Sequence, residues 1–281
     1  VNAEQAIEQE LGLTPIRSRP LSGGCIASAR AIDTREGTTL FVKSMSRPFP
    51  FEVEARGLQW MAKATQGPRI PKVLLASPQF LILEYIPFVP EGVGFQEKLG
   101  RALAEMHQLQ GPAYGFEADH VIGSTAQKNT PMRRPEELPW SSFWWEYRLD
   151  PLLQRLQDPE LLRLGEQLAS RLSGLIDGSG EYPAMLHGDL WSGNMASDPE
   201  GRPVLFDPAP YFGHPEAELG MTRMFGGFSP ACYRAYEELH PLVDGWEERI
   251  DLYMLYHVLN HQLLFGSSYR SQAVAILKHF C

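Results

Sequence analysis

The sequence predicts an α+β chain in two parts: a small antiparallel-sheet lobe over residues 1–86 and a larger, mainly helical lobe over 87–281. Three observations carry this. Strand-like runs crowd the first part, where 39–45, 70–75 and 79–86 are rich in β-branched and aromatic residues. Helical spacing of apolar residues dominates the second, over 95–108, 140–149, 160–176, 246–265 and 272–279. Within it, the apolar run Ala184-Met185-Leu186 delivers His187-Gly188-Asp189, Asn194 follows five residues after Asp189, and Val204-Leu205-Phe206 ends in Asp207.

Composition bounds the possibilities. A chain of 281 residues can bury a core, and 43% hydrophobic with 21% charged residues is ordinary for a globular protein. A net charge of −9 without a Lys/Arg cluster argues against a nucleic-acid partner. No run of 18 apolar residues offers a membrane span, and residues 1–4 carry no basic, apolar leader, so no signal peptide is expected. Cys25, Cys232 and Cys281 are an odd, scattered set and make no disulfide framework. A reduced, cytoplasmic chain is the expectation, acting as a monomer.

Taken in order, Ile7 and Leu11 lie four apart among Glu and Gln, giving a short amphipathic helix over 3–11. Gly23, Gly24 and Cys25 follow between two strand-like runs, where small residues let backbone N–H groups approach phosphates. An ordinary Gly-Gly turn is the plainer reading, and no Gly-Lys-Ser/Thr follows to make a Walker loop. Lys43 is the one charge in the core of the 39–45 strand. It is either an outward-facing lysine or a phosphate contact held by a glutamate of the next helix, 51–64, which offers Glu52 and Glu54. Glu84 and Ile86 end the last strand of the lobe.

In the second part, His107 closes a helix and suits the helix dipole there. Residues 111–139 form a long irregular insert, a common setting for binding segments. The 140–149 helix is expected to be capped by Ser141 or Ser142, and the leucines of 160–176 make one structural helix. The short segment 211–219 lacks an Ala-Pro-Glu motif, which speaks against a protein kinase, and its Glu218 is expected to support the 187–189 turn. His257 and His261 lie four apart without the intervening Glu of a zinc motif and are read as packing or acceptor-site residues.

Phosphoryl transfer needs the groups gathered at 187–207: a carboxylate beside the attacking hydroxyl, and an Asn and a second carboxylate to hold Mg²⁺ against a triphosphate. Asp189 is placed as the base, and Asn194 and Asp207 as hard oxygen ligands. The plainer alternative is a hairpin in which Asp189 and Asn194 merely cap turns.

His187-Gly188-Asp189-Leu190-Trp191-Ser192-Gly193-Asn194, followed by Asp207-Pro208-Ala209, resembles the ketosamine (fructosamine) kinases, within the wider group that includes aminoglycoside and choline kinases. Similar stretches run from about Gly23 to Ser271, including 51–58, 123–130, 224–228 and Asn260-His261. The resemblance implies a protein-kinase-like two-lobed fold with ATP and Mg²⁺ in the cleft. The implied reaction is γ-phosphoryl transfer to O3 of a ketosamine carried by a protein or small amine.

It further implies that Lys43 and Glu54 anchor the phosphates, and that Gly23, Gly24, Cys25, Glu84 and Ile86 line the nucleotide site. On the acceptor side it suggests His187, Trp191, Gln127 and Asn129. Trp191 would be a sugar platform or a core residue locking the loop; Gln127 and Asn129 would bind sugar hydroxyls or satisfy the loop's own backbone. Cys25 would be a small loop residue or a redox switch, able to link two chains by a disulfide. The rival readings are another small-molecule kinase, for an amino alcohol or aminoglycoside, and a nucleotide-binding pseudokinase.

Overall fold

The computed structural model describes residues 2–21 and 27–281. Helix α1 (Ala3–Leu11) starts at Asn2, whose side chain accepts the N–H of Gln5 while the Gln5 side chain accepts that of Asn2. Strands β1 (Pro15–Pro20), β2 (Ser28–Thr34) and β3 (Thr39–Ser44) follow, then α2 (Phe51–Met61), β4 (Val73–Ala76) and β5 (Phe80–Glu84). They form one antiparallel sheet in the order β1-β2-β3-β5-β4.

Strand alternation gives this sheet two unlike faces. Leu40, Val42, Phe80 and Ile82 pack with Ala3, Ala6 and Ile7 of α1 in a small core of their own. Leu81 and Leu83 point the other way and join Phe51, Leu58 and Met61 of α2 in the main core, which continues into the second lobe. Lys43, next to Val42, therefore belongs to the α2 face.

The second lobe begins with α3 (Phe95–His107), then β6 (His120–Ile122) and β7 (Thr125–Gln127), a short hairpin inside the insert expected to be irregular. Next come α4 (Trp140–Trp144), a π-helical turn (Trp145–Leu149), α5 (Asp150–Leu156), α6 (Pro159–Ala169) and α7 (Leu172–Ile176). The single helix expected over 160–176 is broken at Ser170 and Arg171, where the Arg171 N–H turns back to the Leu168 carbonyl. Ser141 does not cap α4; its N–H and hydroxyl are both donated to Asp177.

The remaining elements are β8 (Ala184–Leu186), a 3₁₀ turn (Ser192–Asn194), β9 (Met195–Ser197), β10 (Pro203–Leu205), β11 (Tyr211–Gly213), α8 (Pro215–Met224), α9 (Pro230–Leu239), α10 (Trp246–Phe265), a second 3₁₀ turn (Ser267–Tyr269) and α11 (Arg270–Phe280). Pairing of β8 with β11 and of β9 with β10 brings the 187–194 and 206–211 segments side by side. Helix α2 closes over them. A Cβ on Gly57 would come within 2.4 Å of the Pro210 ring, and Trp60 meets Phe212 edge-on at 5.1 Å. Among the described residues, no helix is long and apolar enough to cross a membrane.

Candidate active site

The turn after β8 is built by Gly188. Its φ of +81° is the left-handed region, and a Cβ there would lie 2.0 Å from the Ala209 carbonyl oxygen. The Ala209 N–H donates to the His187 carbonyl at 2.9 Å, binding the two segments together. Glu218, fully buried on α8, accepts the N–H of Gly188 at 3.1 Å and that of His187 as well, the support expected of it. Behind it lies His107. This histidine ends α3 as expected and is fully buried, with Nε2 3.8 Å from Glu218 and Nδ1 2.7 Å from the Tyr236 hydroxyl.

Asp189 is thus delivered half-buried beside Asn194, whose Nδ2 donates to the Asp189 carbonyl at 2.8 Å. The Asn194 carbonyl accepts the Phe206 N–H at 3.2 Å, which places Asp207 next in line. Asp207 takes a φ of +61°, uncommon for a residue with a side chain. Lys43 reaches across from β3, donating to both Glu54 oxygens at 2.9 and 3.0 Å and to Asp207 Oδ1. Glu54 is 2% exposed, and this pairing selects it over Glu52.

The charges interact strongly. Burial works against the Lys43 ammonium, yet the Glu54 and Asp207 carboxylates outweigh it and hold its pKa above the ordinary value. Burial raises Glu54 to about 7 despite Lys43, whereas Asp207 is held below its usual range because the Lys43 charge outweighs its burial. Asp189 is pushed well up, by burial first and then by the Asp207 and Glu218 carboxylates. The two neighbouring carboxyls are thus pushed in opposite directions, Asp189 up and Asp207 down, with the Lys43 ammonium paired to Asp207.

Among the expected acceptor-side residues, Trp191 is 37% exposed, not a core residue. Its ring lies over Gly193 and meets Phe225 edge-on at 5.9 Å. Phe225 in turn contacts His261, which packs against Phe265 and Tyr269. The other three are engaged elsewhere. His187 is buried, with Nε2 donating to the Phe206 carbonyl and Nδ1 accepting the Asp189 N–H, so it shapes the loop and offers no group to an acceptor. Gln127 and Asn129 are also buried and bond to the chain's own carbonyls, the second of their two readings.

At the end of β5, the Glu84 carboxylate pairs with Arg69 and accepts the Lys72 N–H, and Ile86 beyond it is buried. Gly23, Gly24 and Cys25 lie outside the described residues. Two residues that sequence reading missed belong to the site's frame: His107, above, and His120. Nothing in the sequence singles out His120; its place opposite Gln127 shows only once the β6–β7 hairpin is formed.

The donor set fits a hard divalent cation. Asp207 Oδ2 and Asn194 Oδ1 accept no hydrogen bond among the described residues, and both are the oxygen type that Mg²⁺ selects. Lys43 brings a positive charge to Asp207, and Asp189 adds a second carboxylate beside Asn194.

Comparison with known proteins agrees with this geometry. The fructosamine kinase family model matches residues 2–281. A chloroplastic protein-ribulosamine 3-kinase of Oryza sativa is 42% identical over 92% of this chain and 77% of its own length. A probable ketoamine kinase of Vibrio parahaemolyticus is 37% identical over 96% of both chains. The crystal structure of a candidate fructosamine-3-kinase from Thermobifida fusca superposes with a TM-score of 0.90 at 31% identity, covering 99% of this chain and 98% of that one. An aminoglycoside phosphotransferase solved with AMP-PNP and hygromycin B shares the fold, with a TM-score of 0.64 at 18% identity. The chain is therefore a two-lobed, protein-kinase-like phosphotransferase in fold, and it belongs to the fructosamine kinase family.

Proposed function

We propose that this chain is an ATP-dependent ketosamine 3-kinase, transferring the γ-phosphoryl group to O3 of a fructosamine or ribulosamine on a protein or small amine. The observation that carries the reading is the convergence of Asp189, Asn194, Asp207 and the Lys43–Glu54 pair in one constellation. Asp189, half-buried beside Asn194, takes or orients the acceptor hydroxyl proton. Lys43 binds the nucleotide phosphates while Glu54 holds it in place. Asn194 and Asp207 would hold Mg²⁺, which, when bound, neutralises charge on the transferring phosphates. Trp191 offers a flat apolar face to the acceptor sugar, supported by its exposure beside the catalytic turn.

All these groups come from one chain, so we take the monomer as the acting unit. A cytosolic setting is part of the proposal; the rice relative is named chloroplastic. The names of the relatives support a ketosamine acceptor over an aminoglycoside or choline. The test is a substrate panel: ribulosamine- and fructosamine-bearing lysine against choline and an aminoglycoside, each with ATP and Mg²⁺, scored by mass gain. Phosphorylation confined to the ketosamines is expected. Turnover of the amino alcohols alone would overturn the acceptor class, and ATP binding without any turnover would favour a pseudokinase.

A further inference from the structure

The segment after Asp207 reads Pro208-Ala209-Pro210. Proline has no N–H, so this stretch has a single backbone donor, on Ala209, which is spent on His187. Its three carbonyls each find a side-chain donor on one element. His120 Nε2 donates to Pro208 at 3.2 Å, Gln127 Nε2 to Ala209 at 3.0 Å and Asn129 Nδ2 to Pro210 at 3.3 Å. All three donors are buried and belong to the β6–β7 hairpin or its exit.

The donors are themselves held. Asp119 accepts the N–H groups of Asn129 and Thr130, both at 2.8 Å. Arg148 donates to Asn129 Oδ1 at 2.9 Å, and Tyr256 to Gln127 Oε1 at 3.1 Å. Burial keeps His120 neutral, its pKa lowered to about 4, so Nε2–H is a plain donor and not a charge beside Lys43. On its other side the segment meets Gly57 of α2. The stretch that follows Asp207 is thus fixed by hydrogen bonds along its length, where two prolines leave it a single backbone donor.

We infer that the β6–β7 hairpin is a clamp that sets Asp207 for metal binding, with His120, Gln127 and Asn129 as positioning residues that never touch acceptor or nucleotide. The inference rests on the reading of Asp207 as a Mg²⁺ ligand. Side chains that orient a ligating group commonly alter metal affinity about 10- to 100-fold when removed.

The experiment measures ATP affinity calorimetrically with and without MgCl₂, for the full chain and for His120→Leu, His120→Gln and Gln127→Leu. In His120→Leu and Gln127→Leu the Mg²⁺-dependent gain in ATP affinity is expected to fall about tenfold, with metal-free affinity held within about twofold. His120→Gln restores a donor and should recover the gain to within about threefold of the parent. An unchanged gain in both leucine variants would overturn the clamp, as would equal losses with and without metal. Variants that fail to fold would make the hairpin a folding element instead, and overturn it too. No Mg²⁺-dependent gain in the parent protein would instead remove Asp207 as a metal ligand, a result distinct from all of these.

Discussion

Glu218 accepts the Gly188 N–H at 3.1 Å from inside the protein, so the residue before the proposed base hangs on a fully buried carboxylate. Hydrogen bonds to a charged acceptor are stronger than neutral ones, and a glutamine at this place would turn a donor toward one of the two N–H groups. Glu218→Gln should cost about 2 kcal/mol in stability. It should also lower kcat at least about tenfold while changing the KM for ATP much less. Chemical denaturation and steady-state kinetics on the same preparation test this; kcat near the parent value would separate Glu218 from catalysis.

Lys43 joins two carboxylates that otherwise repel each other, Glu54 and Asp207. Lys43→Met should reduce kcat by roughly 10²–10³, the range for loss of one preorganised electrostatic group. Glu54→Gln keeps Lys43 on Asp207 and should cost less, about tenfold. If the two variants are equally impaired, Glu54 does more than hold the lysine.

Trp191 provides a test confined to the acceptor. Its exposed ring contacts Phe225. Trp191→Ala should raise the acceptor KM about tenfold, in line with loss of a large aromatic contact, and leave the ATP KM within about twofold. A change in the ATP KM alone would refute the platform.

A pH-dependent prediction comes from the junction of the lobes. Arg69 pairs with Glu84 at the end of β5 and with Asp198 between β9 and β10, and its backbone bonds to Pro203 and Leu205. Burial would raise the Asp198 pKa, but the Arg202 backbone N–H and the Arg69 and Arg202 guanidiniums outweigh it, taking it from 3.8 to about 2. A carboxyl lowered on folding contributes stability above its unfolded pKa and loses it as pH falls through the folded one. Asp198→Asn should therefore cost about 2 kcal/mol at neutral pH. The gap between the parent and the variant should close as pH falls from about 4 to about 2. Urea unfolding across that range checks it, and a gap that does not narrow would contradict it.

Much of this architecture was legible in the sequence because it rests on local chemistry. β-Branched and aromatic residues marked the strand of Lys43, and the spacing of Asp189, Asn194 and Asp207 marked the candidate site. What stayed hidden depends on distant partners. Strands β6 and β7 are three residues each, too short for a period to show, and Gln127 and Asn129 bond to carbonyls more than 80 positions away. Their polar character was visible but their partners were not, so an acceptor role and a backbone role looked alike. His107 was legible as a helix-end residue, but nothing local reveals that Glu218 packs against it. The break between α6 and α7 falls in a sequence whose leucines keep helical spacing throughout, with no proline or glycine at Ser170 or Arg171 to signal it.

The central claim is that Asp189 is the base of a phosphoryl transfer to a ketosamine hydroxyl. The most direct test compares the parent protein with Asp189→Asn, measuring ATP binding and single-turnover phosphorylation of ribulosamine-bearing lysine in the same preparations. We predict ATP affinity within about threefold and a transfer rate lower by about 10²–10⁴, the range for loss of a general base. Transfer by Asp189→Asn at close to the parent rate would contradict the account.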